Sequence, residues 1–140
     1  MEGSWQISHD AAGVPVADLV ALFGAAWWAA DRTEDDTRRM LARSDVVVAV
    51  TERRSGRLAG FARALTDETY LAVILDVVVA ADLRGAGLGA LIMESVLGHP
   101  CLAGVASVEL VCQPEMMAFY HRWGFTEQVG RSRLMRRSAG

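Results

Sequence analysis

The sequence contains no lysine, because all 14 of its basic residues are arginine. This absence excludes a Walker-type phosphate loop, whose lysine reaches the terminal phosphates, and it excludes chemistry through a lysine Schiff base. Asparagine is absent as well. Arginine without lysine, together with abundant alanine, glycine and valine, is typical of a GC-rich bacterial genome rather than of one function.

Cysteine and histidine are too few and too scattered to form a metal site. Cys101 and Cys112 fit no zinc spacing, and His9, His99 and His121 are isolated in the sequence, so we expect no metal and no disulfide framework. The net charge of −3 argues against nucleic-acid binding. No apolar run reaches the roughly 18 residues of a membrane span, and the first residues lack a secretory pattern, so we expect a cytoplasmic protein without a membrane segment.

Length and composition predict one folded domain over residues 1–140. The chain is 52% hydrophobic and 22% charged, which is enough apolar material for a packed core. Apolar spacing and turn residues predict helices at 16–30, 34–43, 87–97 and 114–123, and strands at 45–52, 58–65, 70–80 and 106–112. The segment 125–135 could hold one or two more strands, and an edge strand near Leu134 could pair two chains into a homodimer. This order predicts an α/β fold with a mixed sheet and helices on both faces, in which strands 70–80 and 106–112 are buried.

The most informative segment is a glycine-rich loop between a strand and a helix. Gly85, Gly87 and Gly89 let backbone N–H groups converge at the helix start, where the dipole favours an anion such as a pyrophosphate, and Arg84 adds a positive charge. The alternative is a tight turn in which glycine only permits the helix to approach the sheet closely.

A dinucleotide site is a competing interpretation of this loop. Gly85-x-Gly87-x-x-Ala90 satisfies its fingerprint, and Glu109 follows about 20 residues later, where a ribose contact is expected. Against it, residues 80–84 separate the strand from the first glycine, Glu109 lies in mid-strand, and too little chain follows for a doubly wound sheet.

Three motifs occur together in this sequence. They are the loop Arg84-Gly-Ala-Gly87-Leu-Gly89, the strand Asp76-Val-Val-Val79 before it, and the downstream segment Ala118-x-Tyr120-x-x-x-Gly124-Phe125. In this order they resemble the signature loop, the preceding strand and the ending of the GNAT superfamily of acetyl-CoA-dependent N-acetyltransferases. The resemblance covers about half of the chain, from Leu58 to Thr126.

The resemblance implies a mainly antiparallel central sheet and an acyltransferase that moves the acetyl group of acetyl-CoA to a primary amine. The acceptor would be a small molecule that attacks the thioester directly in a ternary complex. The cofactor would bind to the strand edge and the loop, through Val77, Val78, Val79, Arg84, Gly85, Ala86, Gly87, Leu88, Gly89 and Ala90. Many members carry an asparagine after the next strand, whereas this sequence has Gln113, so that cofactor contact departs from the pattern.

Two residues are candidates for the proton transfers. Within the resemblance, Tyr120 is the expected general acid for the departing thiolate, and its alternative role is an aromatic anchor of the last helix. Asp76 is a lone acid in an apolar strand, where burial would raise its pKa towards that of a useful base. Its alternative role is a buried carboxylate satisfied by backbone or by Arg63. Glu109 is a weaker candidate base, and a water chain is another.

Trp27, Trp28 and Arg32 are candidate lining residues of the acceptor pocket, although a tryptophan pair on an apolar helix also suits a core. Other functions stay open at this point. One is a GNAT-like module that senses CoA or acyl-CoA without turnover, and another is an interaction protein that uses exposed tryptophans.

Overall fold

Five strands form one sheet, in which each strand lies beside the strand that precedes it in the chain. In this computed structural model, which describes residues 4–139, the sheet belongs to a unit that ends at Leu110, and a second unit begins at Val111. The strands are β1 (Trp5–Ser8), β2 (Val46–Glu52), β3 (Leu58–Thr66), β4 (Leu71–Val79) and β5 (Ser107–Leu110). Strands β1 to β4 are antiparallel and β5 is parallel to β4, which confirms a mixed, mainly antiparallel sheet.

Helices of the first unit cover both faces of this sheet, as predicted. They are α1 (Val16–Gly24), α2 (Glu34–Arg43) and α3 (Leu88–Leu97). Leu19 and Phe23 of α1 and Leu41 of α2 form one core cluster with Val47 of β2 and Phe61 of β3. Helix α3 packs on β2, β3 and β4. Its Ile92 lies against Gly60, the neighbour of Phe61 in β3. Because neighbouring residues of a strand point to opposite faces, α3 covers the face opposite to α1 and α2.

The strands that are buried on both faces are β2 and the first half of β3, not the two strands for which this was predicted. All five residues from Val46 to Val50 are at most 3% exposed, because α1 and α2 cover one face of the strand and α3 covers the other. In β4 only alternate residues are buried, and β5 has no buried residue. Continuous apolar sequence therefore overstated the burial of β4 and β5.

A close approach between α3 and the sheet occurs at Gly60 of β3. A Cβ at this position would lie 2.7 Å from Cδ1 of Ile92 and 3.3 Å from the carbonyl oxygen of Val78. Ala62 and Ala64 follow at two-residue spacing and are fully buried. Small residues on this face of β3 therefore set how closely α3 packs.

Two predictions of local structure are wrong, and one strand was missed. The first helix ends at Gly24 instead of residue 30, and residues 25–31 form successive turns. The short edge strand β1 was not predicted, because four residues give too little alternation to recognise. Residues 125–139 contain no strand, so the predicted edge near Leu134 is not available for pairing in the described residues; Val129 is the only apolar residue from 126 to 133.

The second unit holds the short helix α4 (Met117–His121), preceded by a 3-10 turn at Pro114–Met116. The prediction of one helix over 114–123 is therefore correct in place but too long. Among residues 4–139 we find no helix with the length and hydropathy to cross a bilayer.

We predict that Gly60→Val lowers the free energy of unfolding by about 1–3 kcal/mol, the usual cost of overpacking a core. The added methyl groups would meet Ile92 and the Val78 carbonyl group, and α3 would have to shift. Urea denaturation measures the effect. Gly24→Ala is the matched control, because a Cβ there meets no atom within 4 Å, and its stability should be unchanged or slightly higher. Equal stability of Gly60→Val and wild type would show that this contact does not limit the packing of α3.

Candidate active site

Strand β4 separates from β5 half-way along its length. The two strands pair only from Leu71 to Ile74 of β4, yet β4 continues to Val79. Ala80 donates its N–H to the carbonyl oxygen of Ala59, on the side of β3. Because N–H groups alternate in direction along an extended strand, those of Val77 and Val79 point away from β3. In the described part of the chain, no strand pairs with this edge.

Asp76 forms a β-bulge immediately before that edge. Its φ of 60° is left-handed, which is rare for a residue other than glycine but tolerated by aspartate and asparagine. The pairing of β3 with β4 shifts at this point, between Phe61 and Arg63. The bulge turns the Asp76 side chain to a face where two arginines meet it.

Two guanidinium groups hold the Asp76 carboxylate. Arg32 donates to both oxygens, with Nη1–Oδ2 at 2.8 Å and Nη2–Oδ1 at 3.1 Å. Arg63 donates through Nε to Oδ2 at 2.7 Å. The side chains of Asp76, Arg63 and Arg32 are 6%, 15% and 32% exposed, so the pairs are largely removed from solvent.

The pKa of Asp76 is shifted in the direction opposite to the prediction. Burial by itself raises it, but the hydrogen bonds and charges of Arg32 and Arg63 outweigh burial, and the net pKa lies below the usual value. The alternative considered from the sequence, a carboxylate satisfied by Arg63, is what the structure shows, with Arg32 as a second partner. Such an aspartate is ionised at neutral pH but is a weak proton acceptor.

Arg32 brings the loop between α1 and α2 against β4. Its guanidinium carbon lies 4.5 Å from the ring centre of Phe23 and 5.7 Å from that of Trp28. Trp28 is 39% exposed and Trp27 is 75% exposed, so neither tryptophan is a core residue. Phe23 was not recognised from the sequence as part of this cluster, since it is one of many apolar residues on α1.

The glycine loop leads from β4 into α3. Gly85 and Gly87 have φ values of 85° and 83°, and a Cβ at either would meet no atom within 4 Å. Glycine is therefore needed here for the left-handed backbone and not for close helix–sheet packing, which Gly60 provides. Helix α3 has no side-chain cap, and in the described residues no backbone oxygen accepts from the N–H groups of residues 88–90. These donors point out of the helix start beside the exposed Arg84.

The dinucleotide interpretation is wrong for this fold. That site requires a parallel, doubly wound sheet, whereas only β4 and β5 are parallel in the described residues. Glu109 lies exposed on β5. Over the same residues, 4–139, no group of three or more His, Cys, Asp and Glu side chains is arranged to hold a metal ion.

The second unit carries Gln113 and Tyr120. Gln113 is half-buried and precedes the 3-10 turn. Tyr120 is buried on α4, with its ring centre 5.0 Å from that of Phe119 and 6.2 Å from that of Phe125. Burial, with a smaller contribution from Cys112, raises the pKa of Tyr120 to about 12. The phenol is therefore protonated at neutral pH, as a proton donor must be, while its ring also packs in an aromatic cluster.

Comparison with known proteins identifies the family. The model of the acetyltransferase (GNAT) domain matches residues 13–136. The chain belongs to this GNAT family. The match includes the open β4 edge, the glycine loop and α4, and it confirms the acyltransferase prediction at the level of the domain.

Among curated relatives, this GNAT chain is 38% identical over 96 residues to a protein of Oryza sativa subsp. japonica named serotonin N-acetyltransferase 2, chloroplastic. The match covers 67% of this chain and 48% of that protein. It is 33% identical over 87 residues to an uncharacterized N-acetyltransferase, ycf52, of Porphyra purpurea, covering 61% of this chain and 50% of that one. The chain thus spans about half the length of the curated relatives it matches.

Solved structures resemble this GNAT chain over nearly its whole length. A putative GNAT-family acetyltransferase of Xanthomonas campestris pv. campestris matches with a TM-score of 0.85 and 26% identity, over 96% of this chain and 93% of that one. A putative acetyltransferase of Deinococcus radiodurans R1 matches with a TM-score of 0.81 and 28% identity, over 98% and 91%.

We predict that Asp76→Asn lowers the free energy of unfolding at pH 7 by about 2–4 kcal/mol, because it leaves two guanidinium groups without a counter-charge; the value is below that of a fully buried pair, since water reaches Arg32. Asparagine retains the size of the side chain and tolerates the left-handed backbone. Because the pKa of Asp76 is lower in the folded than in the unfolded chain, the ion pairs stabilise fully above the unfolded value of about 3.9, and this contribution is lost as the pH falls below it.

Denaturation series for both proteins between pH 7 and pH 3 measure this gap in the free energy of unfolding, which should narrow as the pH falls below the unfolded pKa. Asp82→Asn is the matched control, because Asp82 makes an equally short pair with Arg57 on an exposed surface, and its loss should change stability little. A gap of unchanged size at pH 3 would contradict the assignment.

Proposed function

We propose that this chain transfers the acetyl group of acetyl-CoA to a primary amine of a small-molecule acceptor, by direct attack in a ternary complex. One observation carries the proposal: beyond the β4 edge, with which no strand of the described residues pairs, a 3-10 turn at Ala81–Leu83 leads into a loop whose N–H groups have no backbone acceptor in those residues. CoA has matching parts in the same order, because its extended arm, which contains amides, leads to a pyrophosphate.

The residues present suit such a ligand. The backbone of Val77 and Val79 offers donors and acceptors to the amides of the pantetheine arm, as a further strand would. The loop from Arg84 to Ala90 offers N–H groups, the start of the α3 dipole and one guanidinium to the pyrophosphate. Val78 faces β3 with its backbone, so we assign it a supporting role. Acetyl-CoA supplies an acyl group that is already activated as a thioester.

The chemistry needs little from side chains. The amine nitrogen forms a bond to the carbonyl carbon as the carbon–sulfur bond breaks; one proton leaves the nitrogen and one reaches the sulfur. The N–H groups on the β4 edge can polarise the carbonyl oxygen. Positioning of the two reactants can itself contribute several kcal/mol. We assign Asp76 the role of holding this edge and the neighbouring loop in place, and we assign removal of the amine proton to water.

The acceptor that suits this chain is an amine without a phosphate group. The curated relatives include both serotonin N-acetyltransferase 2 and glucosamine 6-phosphate N-acetyltransferase 1 of Oryza sativa subsp. japonica. Arg32 and Arg63, the guanidiniums beside the bulge, are both engaged by Asp76, so neither is free for a phosphate. Trp27 and Trp28 offer aromatic surface instead, on which a cationic amine can stack.

Tyr120 is our proposed general acid for the departing thiolate, on the strength of the family resemblance and its protonated phenol. The contact of Gln113 with the cofactor, a cytoplasmic location, a bacterial source and a homodimer stay predictions; some of the curated relatives are chloroplastic.

The proposal is tested by following free thiol release from acetyl-CoA with a panel of amines. The panel contains arylalkylamines, polyamines, amino acids, aminoglycosides and glucosamine 6-phosphate. Turnover with an unphosphorylated amine supports the proposal. Tight CoA binding without turnover of any acceptor would instead identify a sensor module.

We predict that Gly87→Glu abolishes CoA binding, because a carboxylate would occupy the space and oppose the charge of the pyrophosphate. Isothermal titration calorimetry measures the loss. Gly104→Glu is the matched control: Gly104 has the same left-handed backbone and open surroundings but lies near the β3–β4 turn, at the other end of the sheet. Unchanged CoA affinity in a folded Gly87→Glu protein would remove this loop from the site.

We predict that Tyr120→Phe lowers kcat by about 10- to 1,000-fold, since general acid catalysis contributes in this range and a CoA thiolate is already a fair leaving group. Acetyl-CoA affinity and thermal stability should change little, because the ring is retained. The comparison uses saturating acetyl-CoA, with single-turnover rates to report on the chemical step. Equal single-turnover rates would mean that Tyr120 only packs.

A further inference from the structure

Two histidines meet at the end of the sheet that lies away from the glycine loop. His9 directly follows β1, and His99 lies in the connection 98–106 between α3 and β5. Their ring centres are 5.0 Å apart, and the rings meet edge to face at 74°. Strands β2 and β4 run in the same direction. Val47, which is bonded to His9 near the start of β2, is therefore at the opposite end from the loop that follows β4.

The hydrogen bond that His99 makes requires a neutral ring. Its Nδ1 accepts from the N–H of Cys101 at 3.1 Å and so caps the 3-10 turn Pro100–Leu102. An imidazole nitrogen accepts only while it carries no proton, whereas both nitrogens of a protonated imidazole donate. The cap therefore places the single proton of His99 on Nε2. A second proton would go to Nδ1, where it would face the Cys101 N–H and replace the cap with a repulsion.

His9 makes a hydrogen bond that a second proton does not disturb. Its Nδ1 lies 3.0 Å from the carbonyl oxygen of Val47, and because that oxygen can only accept, Nδ1 carries the proton. Nε2 can then gain a proton while the bond to Val47 is kept. If His99 were also charged, two cations would stand with their ring centres 5.0 Å apart. The pair therefore tolerates a positive charge on His9 but not on both rings.

Titratable side chains also lie on the segments around this pair, namely Asp10, Asp45, Glu68 and Cys101. The carboxylates of Asp10 and Asp45 each accept a hydrogen bond from a backbone N–H group. Burial raises the pKa of the Cys101 thiol, so this group is uncharged at neutral pH. Glu68, in the turn between β3 and β4, is the carboxylate whose charge acts on His99.

The surroundings of His99 oppose its protonation. Burial, and after it the charge of His9, lower the pKa of His99, while Glu68 raises it by a smaller amount. Because the net pKa lies below the unfolded value of about 6.5, the folded protein binds fewer protons than the unfolded chain in this range. The free energy of unfolding is therefore highest above about pH 6.5 and falls as the pH drops through that value.

We propose that His9 and His99 form a pH-sensitive joint, in which protonation of His99 releases the connection 98–106 from the end of β1. The closed state has the Cys101 cap and a neutral His99, and the open state has neither. In the described residues β1 pairs only with β2, so this contact is a second tie between the edge strand and the rest of the unit. The connection leads into β5, so acid loosens the sheet at both of its edge strands.

Nuclear magnetic resonance of the wild-type protein tests the joint directly. The ring nitrogen shifts of His99 should show the Nε2–H tautomer at pH 8, and the ring should titrate below pH 6.5. The amide of Cys101 should shift with the same midpoint. Its protection against hydrogen exchange should fall roughly two- to tenfold in acid, as expected when one hydrogen bond is lost. An Nδ1–H tautomer at pH 8, or a Cys101 amide that does not respond to this titration, would overturn the inference.

His99→Asn separates the cap from the charge, because Oδ1 of asparagine can accept from the Cys101 N–H but is not protonated in this range. In urea denaturation it should match wild type at pH 8 and lose the decline in stability between pH 6.5 and pH 5. His9→Asn keeps a donor for Val47 and removes the second charge, so it should reduce that decline. Asp76 does not contribute in this window, since its ion pairs are lost only below about pH 3.9.

His121→Asn is the matched control, because His121 pairs with Glu127 in the second unit and takes no part in the joint. It should keep the acid decline of wild type. A decline of unchanged size in His99→Asn would overturn the inference. If that variant does not fold, the His99 tautomer and the Cys101 titration of wild type decide the question. Neither measurement involves CoA or an amine, so the proposed function stands or falls separately.

Discussion

The carboxylate of Asp76 joins three segments that are distant in sequence: β4, β3 through Arg63, and the α1–α2 loop through Arg32. The left-handed bulge at Asp76 presents its side chain to both guanidiniums, and the free strand edge begins at the next residue. Because Arg32 also lies on the ring of Phe23, the ion pair is anchored to the apolar core. The Asp76 carboxylate therefore holds two segments in place. One is β4, which would bind acetyl-CoA, and the other is the α1–α2 loop, which would meet the acceptor.

Elements with strong local signals could be predicted from the sequence, whereas long-range contacts could not. Helix α2 has the predicted bounds, because Thr33 caps it and its first turn is acidic; the glycine loop and α3 were also placed correctly. The early end of α1 was not predicted; the turns that follow it carry Arg32 to Asp76, 44 positions away, and this long-range contact leaves no local signal. The sign of the Asp76 pKa shift failed for the same reason: a sequence indicates burial of a lone acid but not the number of cations around it.

Glycine serves two separate physical needs in this fold, and only one of them can be recognised in a motif. Gly85 and Gly87 have left-handed backbone and open surroundings, so they form a cradle that a side chain would fill. Gly60 has ordinary strand backbone, but a Cβ there would clash with Ile92 of α3. The left-handed glycines leave a recognisable spacing before a helix. The glycine at position 60 is needed because of its contact with Ile92, and the sequence does not reveal that contact.

The edge of β4 from Val77 to Val79, with which no strand of residues 4–139 pairs, has a consequence for the ligand-free protein. A row of free backbone donors and acceptors is a template on which a foreign strand can add, and edge-to-edge addition of this kind begins aggregation. A CoA arm lying along this edge would satisfy those groups and block such addition. The tendency of the protein to aggregate would then depend on ligand occupancy. Preparations supplied with CoA would stay monodisperse at concentrations where ligand-free preparations precipitate.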